Sequence, residues 1–249
     1  MLQLKQHFLE RTVELVIEER YNMKFALAAV RGYIKRCGKA GIVEQRLLDL
    51  PLSELSTDDA MSIIDAAKGL DIKLYHFKNS DRQLPRVTKV LGFLRGIYFE
   101  SLLDVGSGRG VFLIPFLEEF SHIDTYSVDI LEKRVEMLSD LSFGGIDNLN
   151  VRMANICEQP YPNKSVDVVT MLEVLEHIPD VAAAIRSAVN MAKKYVVVTV
   201  PSKEDDNPEH IHLLTKDALT EYFSKAGATK LSFGGVPGHL FMIAKVDGE

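Results

Sequence analysis

The chain has 249 residues, 47% of them hydrophobic and 26% charged, with a formal net charge of −6. That is room for one α/β domain plus an accessory element in an ordinary soluble protein, and the acidic balance argues against a constitutive nucleic-acid binder. The two cysteines, Cys37 and Cys157, exclude a disulfide framework or a thiolate metal site, and no apolar run nears the roughly 18 residues of a membrane helix.

The start, Met1 to His7, has neither a basic n-region nor a small-residue cleavage site. The expectation is a cytoplasmic protein with reduced thiols and no membrane contact. Charge is uneven, with nine Lys/Arg against six Asp/Glu up to Leu50 and 20 against 29 beyond it; a solvated helix face explains the basic N-terminal stretch better than a polyanion site does.

In chain order, Leu2 to Arg20 and Met23 to Cys37 carry apolar residues at helical spacing and predict a hairpin, the second helix ended by Gly38. A third helix is predicted from Ser56 or Thr57 to Lys68, with a hydroxyl cap and Asp58 and Asp59 in its positive first turn. Lys73 to Gly96 is basic and aromatic; it reads as a cleft-shaping segment or as a linker helix, Arg86 to Leu94, that packs Val87, Val90 and Leu91. These residues, 1–97, form a predicted helical cap and linker, which also offers a face for a homodimer or another partner.

From residue 98 strand and helix alternate, which predicts a parallel sheet with helices on both faces. The first strand runs from Ser101 into Asp104, and Gly106, Gly108 and Gly110 then turn the chain into a helix reaching Phe120, which Pro115 is expected to bend. Glycine permits positive φ and lets a ligand lie against the backbone, while a helix start offers unpaired N–H groups. The same turn also joins strands to helices for steric reasons alone. A second strand, Ile123 to Ile130, ends in Asp129, placed to accept both hydroxyls of a ribose. Loop and acid together point to an adenosine-containing ligand.

The spacing is G-x-G-x-G, without the third glycine of a dinucleotide fingerprint, and Asp104 precedes it. With Val128-Asp129, the run Leu103-Asp104-Val105-Gly106-Ser107-Gly108-Arg109-Gly110 resembles the first two motifs of class I S-adenosylmethionine-dependent methyltransferases, over about Ser101 to Ala244. The resemblance implies a Rossmann-like α/β fold, a seven-stranded sheet that is parallel with an antiparallel edge, in residues 98–249. Asp104, Gly106, Ser107, Gly108 and Gly110 then hold the methionine end of the cofactor, Asp129 and Ile130 its ribose side, Asn155 and Ile156 the adenine, and Leu172 with Glu173 the donor's flank.

Further on, a helix from Glu132 to Leu141, strands Leu149 to Ile156 and Val166 to Met171, a helix from Pro179 to Lys193 and a strand from Tyr195 to Val200 are predicted. A last helix begins near Thr215, and two strands, Thr229 to Val236 and His239 to Val246, close the sheet.

Met171 to Asp180 leaves the fourth strand at the ligand-binding edge. If that segment is helical, Glu173, Glu176 and His177 share one face, and converging carboxylates call for a positive partner such as Mg²⁺ or Mn²⁺. Asn207 to Thr215 supplies His210 and His212 on the same edge. Glu-x-x-Glu-His with the later Pro-Glu-His is similar to the metal site of small-RNA 3′-terminal 2′-O-methyltransferases, which implies Glu173, Glu176, His177 and His210 as ligands; ubiquinone-pathway O-methyltransferases carry a similar Glu-x-x-Glu-His. The reading is metal-assisted O-methylation of a hydroxyl-bearing acceptor, a small molecule or an RNA end, with Glu173, His177 and His210 as catalytic residues. The alternatives are a metal-free enzyme with a histidine base and an idle cofactor-binding module.

Overall fold

The computed structural model of the chain describes residues 22–70, 72, 74–204 and 206–246; the predicted helix from Leu2 to Arg20 lies outside them. The described chain divides into two compact units, one formed by residues up to Gln83 together with Glu136–Asp147, the other by Leu84–Val135 and Asn148 onward. The helix Pro85–Leu94, grouped with the cap on sequence, belongs to the second unit.

In the first unit, α1 (Met23–Arg36) buries Phe25, Val30 and Ile34, and Gly38 takes φ +64° just past its end. A short helix, α2 (Gln45–Asp49), follows. Then α3 (Thr57–Lys68) starts on a capping box: Ser56 accepts from the Asp59 N–H and the Asp59 carboxylate accepts from the Ser56 N–H, so two donors that a helix start leaves over are satisfied.

The second unit opens with α4 (Pro85–Leu94), which buries Val87, Val90, Leu91 and Leu94. Its Phe93 ring meets Tyr195 edge-on at 5.4 Å. The sheet has seven strands in the order β3-β2-β1-β4-β5-β7-β6: β1 (Ser101–Val105), β2 (Asp124–Asp129), β3 (Leu149–Met153), β4 (Val166–Leu172), β5 (Ala192–Pro201), β6 (Lys230–Val236) and β7 (His239–Lys245). The first five pair in parallel. β7 runs antiparallel between β5 and β6, so its first residue, His239, pairs with Pro201, the last of β5. β4 is buried along nearly its whole length, as a strand covered on both faces must be.

The helices between the strands are α5 (Leu113–Glu119), α6 (Glu132–Phe143), α7 (Val181–Met191) and α8 (Lys216–Lys225). Two expectations are corrected. α5 starts at Leu113, not Gly110, which puts Pro115 in the first turn, where a missing N–H is tolerated. α7 starts after Asp180, whose carboxylate accepts from the Ala183 N–H, so Pro179 stands outside the helix. Among the described residues no helix is long and apolar enough to cross a membrane.

Candidate functional site

The residues picked out on sequence fall at the carboxyl ends of β1 to β5, in the second unit. After β1, Gly106, Gly108 and Gly110 take φ of +65°, +56° and +83°, values that cost a residue with a Cβ. The Gly106 N–H donates to Val128 O at 2.8 Å, which carries the β1–β2 ladder one residue into the loop. Ser107 spends its hydroxyl inside, 2.8 Å from the Ser127 hydroxyl and donating to Asp104 O at 3.2 Å. What it offers a ligand is backbone.

Asp104 is buried, and its Oδ1 accepts from the Thr170 hydroxyl at 2.6 Å. Burial raises its pKa to about 6, against the lowering pull of the Thr170 and Ser107 bonds, with the nearby Asp129 carboxylate adding to the rise. Asp129, at the end of β2, accepts from the Gly108 N–H through Oδ2 at 3.1 Å and from the Leu131 N–H through Oδ1 at 2.9 Å. Each oxygen keeps a second lone pair, so a held carboxylate with two open acceptor positions stands beside the glycine loop.

Ile130, Leu131 and Met153 are exposed, at 66%, 57% and 58%, and stand at the ends of the neighbouring strands β2 and β3. Leu131 and Met153 were not picked out on sequence; both are large apolar residues at or just beyond a strand's carboxyl end, which is the signal that finds them. Asn155 is exposed, and its side-chain oxygen accepts from the Cys157 N–H at 3.0 Å, capping a turn. Ile156 points into the core, 4% exposed. An adenine ring would meet the backbone of these two and the exposed apolar trio.

After β4 the segment differs from a helical turn starting at Glu173. Glu173 keeps the sheet's bonding, its N–H donating to Thr199 O at 2.9 Å, at φ +58°. Only Leu175–His177 coils, as a 3-10 turn. Glu176 is fully buried. His177 Nδ1 is 2.9 Å from Glu209 O; a carbonyl only accepts, so Nδ1 carries the proton and Nε2 keeps a lone pair for a ligand.

The loop after β5 is tied onto this segment. The Ile211 N–H donates to Glu176 O at 2.9 Å, and His212 Nε2 lies 3.1 Å from Ile178 O. The tie brings the His210 ring to 4.8 Å from that of His177, edge-on, and the ligand atoms of Glu176, His177 and His210 lie within 4.8 Å of one another. Ligands around one Mg²⁺ or Mn²⁺ stand about 3 to 4 Å apart, so these three fit such an ion with a small contraction. Glu173 stands outside that cluster. Its Oε2 is 2.8 Å from Nδ1 of His239, a histidine that sequence reasoning missed although an antiparallel strand must begin at the edge where parallel strands end.

An open sheet with a glycine turn after β1, an acid after β2 and a ligand edge spanning β1 to β5 defines a nucleotide-cofactor α/β protein of the Rossmann-like kind. Residues 76–232 match the family described as "Methyltransferase domain", well over half the chain, and the protein belongs to that family of class I S-adenosylmethionine-dependent methyltransferases. Among curated proteins, it is 33% identical over 96 residues to the 27-O-demethylrifamycin SV methyltransferase of Amycolatopsis mediterranei, covering 38% of this chain and 35% of that one. It is 30% identical over 114 residues to the ubiquinone biosynthesis O-methyltransferase of Serratia proteamaculans, covering 43% and 44%. The matches thus span less than half of these relatives. Among solved structures, a SAM-dependent methyltransferase from Aquifex aeolicus superposes with a TM-score of 0.54 at 21% identity, over 73% of this chain and 96% of that one, a likeness of fold.

Proposed function

We propose that the protein moves the methyl group of S-adenosylmethionine to a hydroxyl oxygen of a small phenolic acceptor with adjacent hydroxyls, assisted by a divalent metal. The observation that carries this reading is that one edge of one sheet bears both the Asp104/glycine/Asp129 cradle, at the ends of β1 and β2, and the Glu176/His177/His210 cluster, at the ends of the adjoining β4 and β5.

In this reading the backbone of Gly106 to Gly110 and the Asp104 carboxylate hold the methionine end, and Asp129 accepts the two ribose hydroxyls. Ile130, Leu131 and Met153 cover the adenine face beside Asn155 and Ile156. Leu172 and the backbone of Glu173 flank the donor. The acceptor's oxygen forms the new O–C bond with a lone pair, the C–S bond pair passes to sulfur, and a methyl ether, S-adenosylhomocysteine and a proton result. Such a displacement needs alignment more than covalent help.

Glu176, His177 and His210 would hold Mg²⁺ or Mn²⁺. Bound there, the ion lowers the pKa of a coordinated hydroxyl and fixes its direction. His177 serves this with its Nε2 lone pair, its tautomer fixed by the Glu209 carbonyl.

A phenolic acceptor is favoured over an RNA end by the loop that carries His210. Ile211 and Leu213 on it are 52% and 42% exposed, giving an apolar rim, and Glu204, Asp206 and Glu209 are exposed acids beside the exposed Lys203. An apolar, acidic rim repels phosphates. The O-methyltransferases among the relatives agree with a hydroxyl acceptor.

The test is a labelled methyl-transfer assay with catechol, 3,4-dihydroxybenzoate and an RNA with a free 3′-terminal 2′,3′-diol, run beside calorimetry with S-adenosylmethionine. Turnover of the catechols that EDTA abolishes and Mn²⁺ restores is the expected result. Turnover of RNA alone overturns the acceptor class, and absence of cofactor binding overturns the reading as a whole.

A further inference from the structure

Glu173 bears two separate signs of a ligand-facing role. It holds φ +58° without being glycine, a strained conformation of the kind found at ligand sites. Its two carboxylate oxygens are also used unequally. Oε2 stands 2.8 Å from His239 Nδ1, while Oε1 is buried with no hydrogen-bond partner. Nδ1 is itself buried and not aligned as a hydrogen-bond donor to Oε2, so the contact is a close approach that a small rotation of either side chain would turn into a bond. The orphaned Oε1 needs a donor that the protein does not supply.

Topology says which ligand supplies it. Glu173 follows β4, whose neighbours are β1 on one side and β5 on the other. The cofactor cradle lies toward β1. His239 begins β7, beyond β5, opposite Pro201, so the Glu173 carboxylate reaches across β5, away from the cradle. Gly238, at φ +83°, is the turn residue that delivers His239 to this edge. His239 keeps 24% of its side chain exposed although Nδ1 itself is buried.

We propose that Glu173 Oε1 receives the O–H of the methyl acceptor and that His239 is the positioning residue that holds Glu173 turned toward it. The pair is distinct from the Glu176/His177/His210 cluster: it orients the acceptor's hydroxyl toward the methyl group, and the cluster acts on the same acceptor. This rests on the methyl-transfer reading above.

The experiment uses the full chain, with H239L, which removes the donor at similar size, H239N, whose amide N–H replaces Nδ1–H, and E173Q. Steady-state methyl transfer is measured on the catechol or RNA acceptor that the wild type turns over, together with calorimetric S-adenosylmethionine affinity and Mn²⁺ affinity by electron paramagnetic resonance. H239L is expected to lose at least tenfold in kcat/KM for the acceptor while both affinities stay within about threefold, and H239N is expected to recover most of the loss. Wild-type kcat/KM in H239L, or no recovery in H239N, overturns the proposal. A proportional loss of S-adenosylmethionine affinity assigns Oε1 to the cofactor's ammonium and overturns it too. If H239L does not fold, E173Q is judged by the same kcat/KM and affinity criteria. No turnover by the wild type on any acceptor counts instead against the methyl-transfer reading, and the proposal falls with it.

Discussion

Gly106 lies so close to Val174 that a Cβ on the glycine would stand 2.7 Å from a Val174 methyl carbon. The contact joins the turn after β1 to the segment after β4, so the loop assigned to the donor and the loop leading to Glu176 and His177 set each other's position. Gly106 also needs its positive φ, which costs an L-residue about 1–2 kcal/mol. G106A is therefore expected to weaken S-adenosylmethionine binding at least tenfold. The double variant G106A/V174A removes the clash and keeps the φ penalty, so calorimetry should show it recovering part of the loss. No recovery would mean that strain alone sets the cost.

Asp104 ties cofactor affinity to pH. Its carboxyl, raised to about 6 by burial, is largely protonated at pH 5 and ionised at pH 7. A cationic methionine end favours the ionised form, so calorimetric affinity for S-adenosylmethionine is expected to climb from pH 5 to 7, by at most tenfold per unit, and to level off above. The stability of the ligand-free protein runs the other way. The folded pKa lies above the unfolded value near 3.8, so between those two values the folded state binds more protons, and stability contributed by this group is lost as pH rises through that window. A shift of that size is about 3 kcal/mol. D104N removes both dependences, and a pH-independent affinity in the wild type would dismiss Asp104 as the group responsible.

Where the sequence was legible, the cause was local. The apolar runs of β4 and β5 and the glycine turn report their own backbone states, and Ser56 with Asp59 states a helix start in four residues. What stayed illegible was set by partners distant in the chain. Glu173 to His177 has no glycine to mark a break, and its spacing fits a helix; it does not form one because the Glu173 N–H is taken by Thr199 on the neighbouring strand. His239 acquires its meaning only through the register that sets it opposite Pro201. The third strand stops at Met153 rather than Ile156, which opens a 3-10 turn beyond it, and the burial of Ile156 depends on packing that no local pattern carries.

The histidine cluster separates side-chain roles from backbone roles. If His210 is a ligand as proposed, H210A is expected to abolish tight Mn²⁺ binding, as is E176Q, which keeps the shape and removes the charge. Glu209 acts on His177 through its carbonyl, and its side chain is exposed, so E209A should leave Mn²⁺ affinity within about twofold. Electron paramagnetic resonance titration decides: equal losses in H210A and E209A would indicate that the loop as a whole is disturbed.

Two helical glycines should respond to the same substitution with opposite signs. In the first unit a Cβ at Gly32 on α1 would fall 1.8 Å from Asp140 O, and one at Gly144, just after α6, 1.8 Å from Ala28 O. The two backbones touch there, and Arg36 binds the Asp140 carboxylate with two bonds of 2.7 and 3.0 Å beside the crossing. Backbone cannot yield as a side chain can, so G32A is expected to cost about 3 kcal/mol or more. A Cβ at Gly92 on α4 meets nothing within 4 Å, so G92A gains the helix propensity of alanine, about 1 kcal/mol. In a chain of this size thermal unfolding should therefore move down by roughly 6–12 °C for G32A and up by roughly 2–4 °C for G92A. A neutral G32A would show that α1 and α6 do not cross in backbone contact.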